Sequence, residues 1–218
     1  MRSFFIYICD MHILSFFKSL FGIKTTEEDL MKKYLIVGLG NIGAEYYDTR
    51  HNIGFKILDE LANVEQVTFE TQKLGDLAKF KFKGRTFILL KPSTFMNLSG
   101  KSVKYWMNKE KIALQNILIV CDDLNLSFGS IRVKANGSDG GHNGLKNIKE
   151  VLNTQQYARF RFGISNEFSK GRQSDYVLSK WNDEEYQKMP ERLELAIKVI
   201  KSFGTAGIKN TMNDFNGK

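Results

Sequence analysis

The chain has 218 residues, enough for one domain, or one domain with an extension, at roughly 100–200 residues per domain. Hydrophobic residues make up 42% and charged residues 26%, which excludes a wholly disordered chain and allows a core that needs no disulfide or metal staples. Lys and Arg number 32 against 24 Asp and Glu, a net charge of +8 and a pI near 9.3, so a polyanionic partner is expected, nucleic acid first, with a basic surface kept for solubility as the alternative.

Residues 1–30 carry two apolar stretches, 4–8 and 13–23, interrupted by Cys9, Asp10 and His12. Neither reaches the ~18 residues of a membrane span, and the pattern is a poor match to a signal peptide. An accessory extension is expected here, or an upstream start with translation truly beginning at Met31; an amphipathic helix is the alternative. Residues 33–39 (KYLIVGL) form a short apolar run ending in Gly, a buried strand. Residues 51–62 place Ile53, Ile57, Leu58 and Leu61 at helical spacing. Residues 79–83 alternate Lys with Phe and turn at Gly84-Arg85 into 86–90, a hairpin with one basic and one aromatic face. A helix is expected over 100–109, a buried strand over 116–121 (NILIVC), and a helix over 143–152 with Leu145, Ile148 and Leu152 on one side. Residues 157–164 (YARFRFGI) alternate again, with Arg159 and Arg161 on one face, and 183–203 form a long terminal helix. Strands and helices interleave without a repeat or linker. The expectation is a single α/β domain over 31–218, with a mixed, mostly parallel twisted sheet flanked by helices.

Gly38-Leu39-Gly40-Asn41-Ile42-Gly43 fits G-x-G-x-x-G after a strand, but a dinucleotide site requires a helix to begin inside the pattern. Residues 44–50 show no apolar stripe, so the glycines are read as a sharp turn that sets Asn41 at a strand's carboxyl end. Four further polar segments sit at element ends: Thr49-Arg50-His51-Asn52, residues 92–100 (PSTFMNLSG), Asp122-Asp123, and Gly140-Gly141-His142-Asn143-Gly144. Strand-end loops of an α/β sheet converge on one rim. Such groups suit metal-independent ester hydrolysis: His51 to take a proton from water, Asp122 to hold its tautomer, and the amides of Asn41, Asn97 and Asn143 to position water, hold carbonyls or support an oxyanion. Taken singly, each also reads blandly: His51 as a surface or capping residue, Asp122-Asp123 as turn chemistry, Asn143 as an N-cap. No G-x-S-x-G elbow is present. Cys121 lies inside an apolar strand and reads as core, and two cysteines with three histidines give neither a disulfide framework nor a zinc pattern, which suits a reducing cytoplasm.

Residues 35–46 (LIVGLGNIGAEY), 49–54 (TRHNIG), 92–100, 122–129 (DDLNLSFG) and 140–146 (GGHNGLK) together resemble the bacterial-type peptidyl-tRNA hydrolase family. The resemblance runs from about residue 33 to the terminal helix. It implies an esterase that cleaves a peptide, or an N-blocked amino acid, from the 3′-terminal ribose of tRNA and so recycles tRNA from prematurely released peptidyl-tRNA. By motif position His51 matches the base, Asp122 the acid that orients it, and Asn41 the residue that separates blocked from free aminoacyl groups. Tyr46, Phe95, Met96, Asn97, Gly140, His142 and Asn143 match substrate- or tRNA-contacting positions, and Lys134 and Arg161 match basic residues that hold phosphates. It further implies no cofactor and no metal, a monomer without an obligatory protein partner or membrane, and contact with the 3′ CCA end and acceptor stem. Three positions depart from the pattern: Ile42 and Ser127 stand where Pro is usual, and Asp139 puts a carboxylate beside Gly140. The charge pattern agrees, with Arg132, Lys134, Lys146, Lys149, Arg159 and Arg161 crowded into one third of the chain and a helix start at 140–144 whose N–H groups suit a phosphate. The rivals are a non-catalytic RNA-binding module and a nucleotide-dependent enzyme using 38–43.

Overall fold

The computed structural model describes residues 32–217, so the extension expected over residues 1–30 lies outside the described residues. Seven strands form one sheet: β1 (Lys33–Gly38), β2 (Glu70–Gln72), β3 (Gly75–Phe82), β4 (Arg85–Pro92), β5 (Ile117–Asp123), β6 (Ile131–Lys134) and β7 (Ala158–Gly163), in the order β2-β3-β4-β1-β5-β7-β6. The four central strands run parallel, and both edges are antiparallel, β2 and β3 at one and β6 at the other. The sheet is therefore mixed with a parallel centre, as expected.

Helices cover both faces, which is why the central strands are apolar on both sides. Ile36, Leu118, Val120 and Phe160 pack on one face against α1 (Ile53–Val64) and α5 (Asp183–Ala206). Leu35, Val37, Ile119 and Cys121 pack on the other against α2 (Ser99–Lys109) and α3 (Asn143–Leu152). Two shorter helices follow the last central strand in sequence, α4 (Gln173–Val177) and α6 (Ile208–Phe215). α5 opens on a capping box, in which the Asn182 side chain accepts the Glu185 N–H and the Glu185 carboxylate accepts the Asn182 N–H.

The glycine pattern after β1 serves packing. Residues 44–46 form a 3₁₀ turn, and α1 starts only at Ile53, after a second 3₁₀ turn over Arg50–Asn52. A Cβ on Gly54 would lie 2.4 Å from Leu39 N and 2.6 Å from Val120 O, and one on Gly38 would lie 2.3 Å from Gly54 O. The first turn of α1 thus rests directly on the backbone of β1 and β5. This seating brings the turn carrying His51 to the carboxyl end of β5, where Asp122 stands.

The sheet sets the basic residues in separate places. The Lys79–Gly84 hairpin lies near the edge opposite β6, and Lys79 is paired with Glu110 at 2.7 Å, so its basic face does not extend the one around Lys134. Arg159 is 1% exposed, with its guanidinium donating to the carbonyls of Ser138 at 3.1 Å and Gln155 at 3.3 Å, so it holds a loop from within and is withdrawn from the surface. β7 is covered on both faces where Arg159 stands, whereas Arg161, two residues nearer the strand's carboxyl end, reaches the cavity, and the alternation YARFRF does not distinguish the two.

Candidate active site

The last two residues of β5, Asp122 and Asp123, are buried and face opposite sides of the sheet. Asp122 Oδ1 lies 2.8 Å from His51 Nδ1 and 3.1 Å from His142 Nε2. Asp123 Oδ2 pairs with Arg161 Nη1 at 3.0 Å. One strand end therefore anchors an acid–base cluster with one carboxylate and a cation with the other.

His142 is the N-cap of α3: its Nδ1 accepts the N–H groups of Gly144 at 3.1 Å and Leu145 at 3.4 Å. An accepting Nδ1 carries no proton, so the proton sits on Nε2 and points at Asp122. Asp122 Oδ1 then receives two N–H groups, one from each ring, and the rings approach to 4.9 Å between centroids. Burial alone would raise the Asp122 carboxyl, but the two histidines and their hydrogen bonds hold it well below the usual carboxylate range. For His51, burial lowers basicity, and the charge and hydrogen bond of Asp122 outweigh it, so its pKa lies above 6.5. Burial drives the Cys121 thiol far above its ordinary value, in keeping with a core role.

The ligand-type atoms of His51, Asp122 and His142 lie within 4.8 Å of one another, a spacing that a metal could use. The hydrogen bonds argue for protons in that space. His142 directs an N–H at the shared oxygen because its other nitrogen is spent on the α3 backbone, and a cation there would have to displace it.

A cavity of about 300 Å³ opens on this cluster and is lined by His51, Asp122, Gly140, His142, Asn143 and Arg161. Leu124, Asn125, Phe168, Gln173, Ser174 and Val177 also line it. Gly140 and Gly141 have φ of 62° and 85°, conformations that let the loop pass beside Arg161. Arg161 also donates to the Ser138 carbonyl at 2.8 Å. Asp139 accepts the Gly141 N–H at 3.1 Å and lies 3.7 Å from Lys149, which offsets its charge within the loop.

Asn41 lies across the Asn52 turn and lines a second cavity, of about 640 Å³. Its backbone is clamped by the Asn52 carboxamide at 2.8 and 2.9 Å, and its Oδ1 accepts the Met96 N–H at 2.8 Å. The Asn41 NH₂ is thereby aimed by its own oxygen's bond. Met96 is 4% exposed and packs in the core beside Leu39 and Leu145, and its backbone N–H is the group that meets the Asn41 side chain. Phe95 is half exposed, Asn97 and Lys134 are exposed, and Tyr46 is partly buried on the 3₁₀ turn.

The N–H groups expected to be free at the start of α3 are instead mostly taken: Gly144 and Leu145 donate to His142 Nδ1, and Lys146 donates to the His142 carbonyl. The sequence placed His142 in the cleft without its bond to Asp122, since H-N-G-L gives no hint that the histidine is a cap. Asp123 as the partner of Arg161 was legible only as an adjacent carboxylate.

A family model described as peptidyl-tRNA hydrolase matches residues 35–218. A peptidyl-tRNA hydrolase of Bacteroides fragilis is 58% identical over 186 residues, 85% of this chain and 100% of its own length. That of Parabacteroides distasonis is 55% identical over 186 residues, with the same coverage of 85% and 100%. The crystal structure of peptidyl-tRNA hydrolase from Acinetobacter baumannii matches with a TM-score of 0.80 at 36% identity, covering 86% of this chain and 96% of that one.

Proposed function

Because this chain belongs to the peptidyl-tRNA hydrolase family, it is an enzyme that hydrolyses peptidyl-tRNA, and we propose that it does so with His51 as the base that activates water. The observation that carries this is the 2.8 Å pair of His51 and Asp122 facing a polar cavity. With Nδ1–H donated to Asp122, the lone pair of His51 is on Nε2, which has no protein partner among the described hydrogen bonds. Water attacks the ester carbonyl and gives its proton to Nε2. The imidazolium so formed faces a buried carboxylate that favours it. The same proton then passes to the departing 3′ oxygen of the ribose as the acyl–oxygen bond breaks, leaving free tRNA and a peptide carboxylic acid, which releases water's second proton to solvent and leaves as the carboxylate.

Asn143 on the cavity wall, Asn97 on the adjoining loop and the aimed NH₂ of Asn41 are assigned to hold the peptide and its developing oxyanion. The Asn41 donor suits the carbonyl of a blocked amino group, which a free aminoacyl ester lacks. Lys134 on the edge strand, Arg161, Phe95 and Tyr46 are assigned to the CCA end and acceptor stem, with Gly140 and His142 shaping the cleft. The reading takes the enzyme as a metal-free cytoplasmic monomer; among the described residues no helix is long and apolar enough to cross a membrane. In a single-turnover assay with N-blocked aminoacyl-tRNA, His51→Ala is expected to lose ~10²–10⁴ in rate, the usual range for one acid–base group. A folded His51→Ala with wild-type turnover would remove His51 from this role.

A further inference from the structure

One wall of the cavity includes Gln173, Ser174 and Val177, and the chain that continues it to Trp181 is joined to the turn that carries His51 by two backbone contacts and by the buried side chain of Arg50. Arg50 Nη2 lies 2.6 Å from Glu185 Oε2, and the two side chains are 6% and 9% exposed. Arg50 Nη1 donates to Ser179 Oγ at 2.7 Å and to the Lys180 carbonyl. Its backbone N–H donates to the Ser179 carbonyl at 3.0 Å, and Thr49 forms a β-bridge with Lys180. The guanidinium lies over the rings of Tyr176 at 4.6 Å and Trp181 at 5.4 Å. Tyr176 in turn donates its hydroxyl to the Ile164 carbonyl at 2.6 Å, just past β7.

The carboxylate partner is itself fixed. Glu185 Oε2 accepts the Asn182 N–H at 2.8 Å as half of the α5 capping box, so Glu185 cannot swing without uncapping the helix. One cation thus joins three elements: the 3₁₀ turn of His51, the chain from Tyr176 to Trp181, and the first turn of α5. A fork of donors in one plane is what such a junction requires, and lysine has none.

We propose that Arg50 is a positioning residue for the hydrolytic reaction: held by Glu185, its guanidinium fixes the turn that carries His51 against the 173–180 wall, so that base and wall form one rigid cavity. The inference rests on His51 being the base. It separates Arg50 from a purely structural buried ion pair, whose loss would lower stability and leave the chemistry of the folded enzyme unchanged.

The test uses the full chain with N-blocked aminoacyl-tRNA in steady state, together with thermal melts, for Arg50→Lys, Glu185→Gln and His51→Ala. Arg50→Lys keeps the charge and loses the fork; kcat is expected to fall about 10- to 100-fold, the cost of a misplaced catalytic group, with KM nearly unchanged. Glu185→Gln keeps an oxygen for Asn182 and for the guanidinium, and its kcat is expected to fall less. Folded Arg50→Lys with wild-type kcat overturns the proposal, as does a rise in KM at constant kcat, which would assign Arg50 to the wall alone. If Arg50→Lys gives no cooperative melt, folded Glu185→Gln with wild-type kcat overturns it. Activity retained in His51→Ala overturns the underlying reading instead.

Discussion

His51 and His142 share one oxygen of Asp122, but their other nitrogens differ: His142 Nδ1 is spent on the α3 backbone, and His51 Nε2 is left for the cavity. That asymmetry is why His51 rather than His142 is proposed as the base. It also fixes the pH behaviour. The basicity of His51 is lowered by burial and raised by more through Asp122, so its neutral form accumulates only above pH 6.5. We predict that kcat/KM rises through a limb centred above 6.5, and that Asp122→Asn moves the limb to lower pH while cutting the plateau, because burial then acts on the imidazole unopposed. A limb that stays in place in Asp122→Asn would contradict the assignment. Stability follows the same groups. Raised basicity of folded His51 stabilises below its unfolded value of 6.5, and this is lost as pH rises through the folded value. The depressed Asp122 carboxyl stabilises above its unfolded value of 3.8, and this is lost as pH falls toward the folded value. Acid melts of Asp122→Asn should accordingly lose part of the decline that wild type shows below pH 3.8.

At the scale of elements, the site depends on how closely α1 is seated. A Gly54→Ala Cβ would meet backbone atoms of Leu39 and Val120 at 2.4–2.6 Å, and backbone does not rotate away. The variant is predicted to lose ~1–3 kcal/mol or more of stability, as overpacked cores do. Its surviving folded fraction should turn over slowly, because the His51 turn is pushed off Asp122; denaturant melts and kcat on the same sample check both. The basic strip divides in a similar way. Lys134 is exposed on edge strand β6, whereas Arg161 neutralises buried Asp123. Lys134→Ala should raise KM at unchanged stability, with the largest effect at low salt and a salt slope shallower by about one. Arg161→Ala should also lose about 3 kcal/mol of stability by stranding Asp123. Equal melting temperatures for the two variants would contradict this division. β6 itself is held at the sheet edge by Asn216, whose carboxamide bonds Val133 N at 2.6 Å and Val133 O at 3.0 Å, between Arg132 and Lys134.

Over the whole molecule, local pattern was legible and pairing was not. Buried strands such as ILIVC declared themselves by β-branched runs, and five polar motifs at element ends declared a rim, because side-chain periodicity and turn chemistry are local properties. The seating of Gly54 on β1 and β5, the burial of Arg159, the bond of His142 to Asp122 and the junction at Arg50 arise from contacts between segments well apart in sequence, which no local window contains. The net charge of +8 pointed to a polyanion but not to a place on the surface: the Lys-rich hairpin lies at the far side of the sheet from Lys134. The proposed chemistry rests on one buried pair, His51 and Asp122, acting on a blocked ester of tRNA. The most direct measurement is release of N-acetyl-amino acid from N-acetyl-aminoacyl-tRNA, beside unblocked aminoacyl-tRNA, by wild type and His51→Ala in the presence of EDTA. Release from the blocked substrate alone, unaffected by chelation and lost in the variant, is the predicted result. Salt-sensitive tRNA binding without release, or release that survives in His51→Ala, would contradict it.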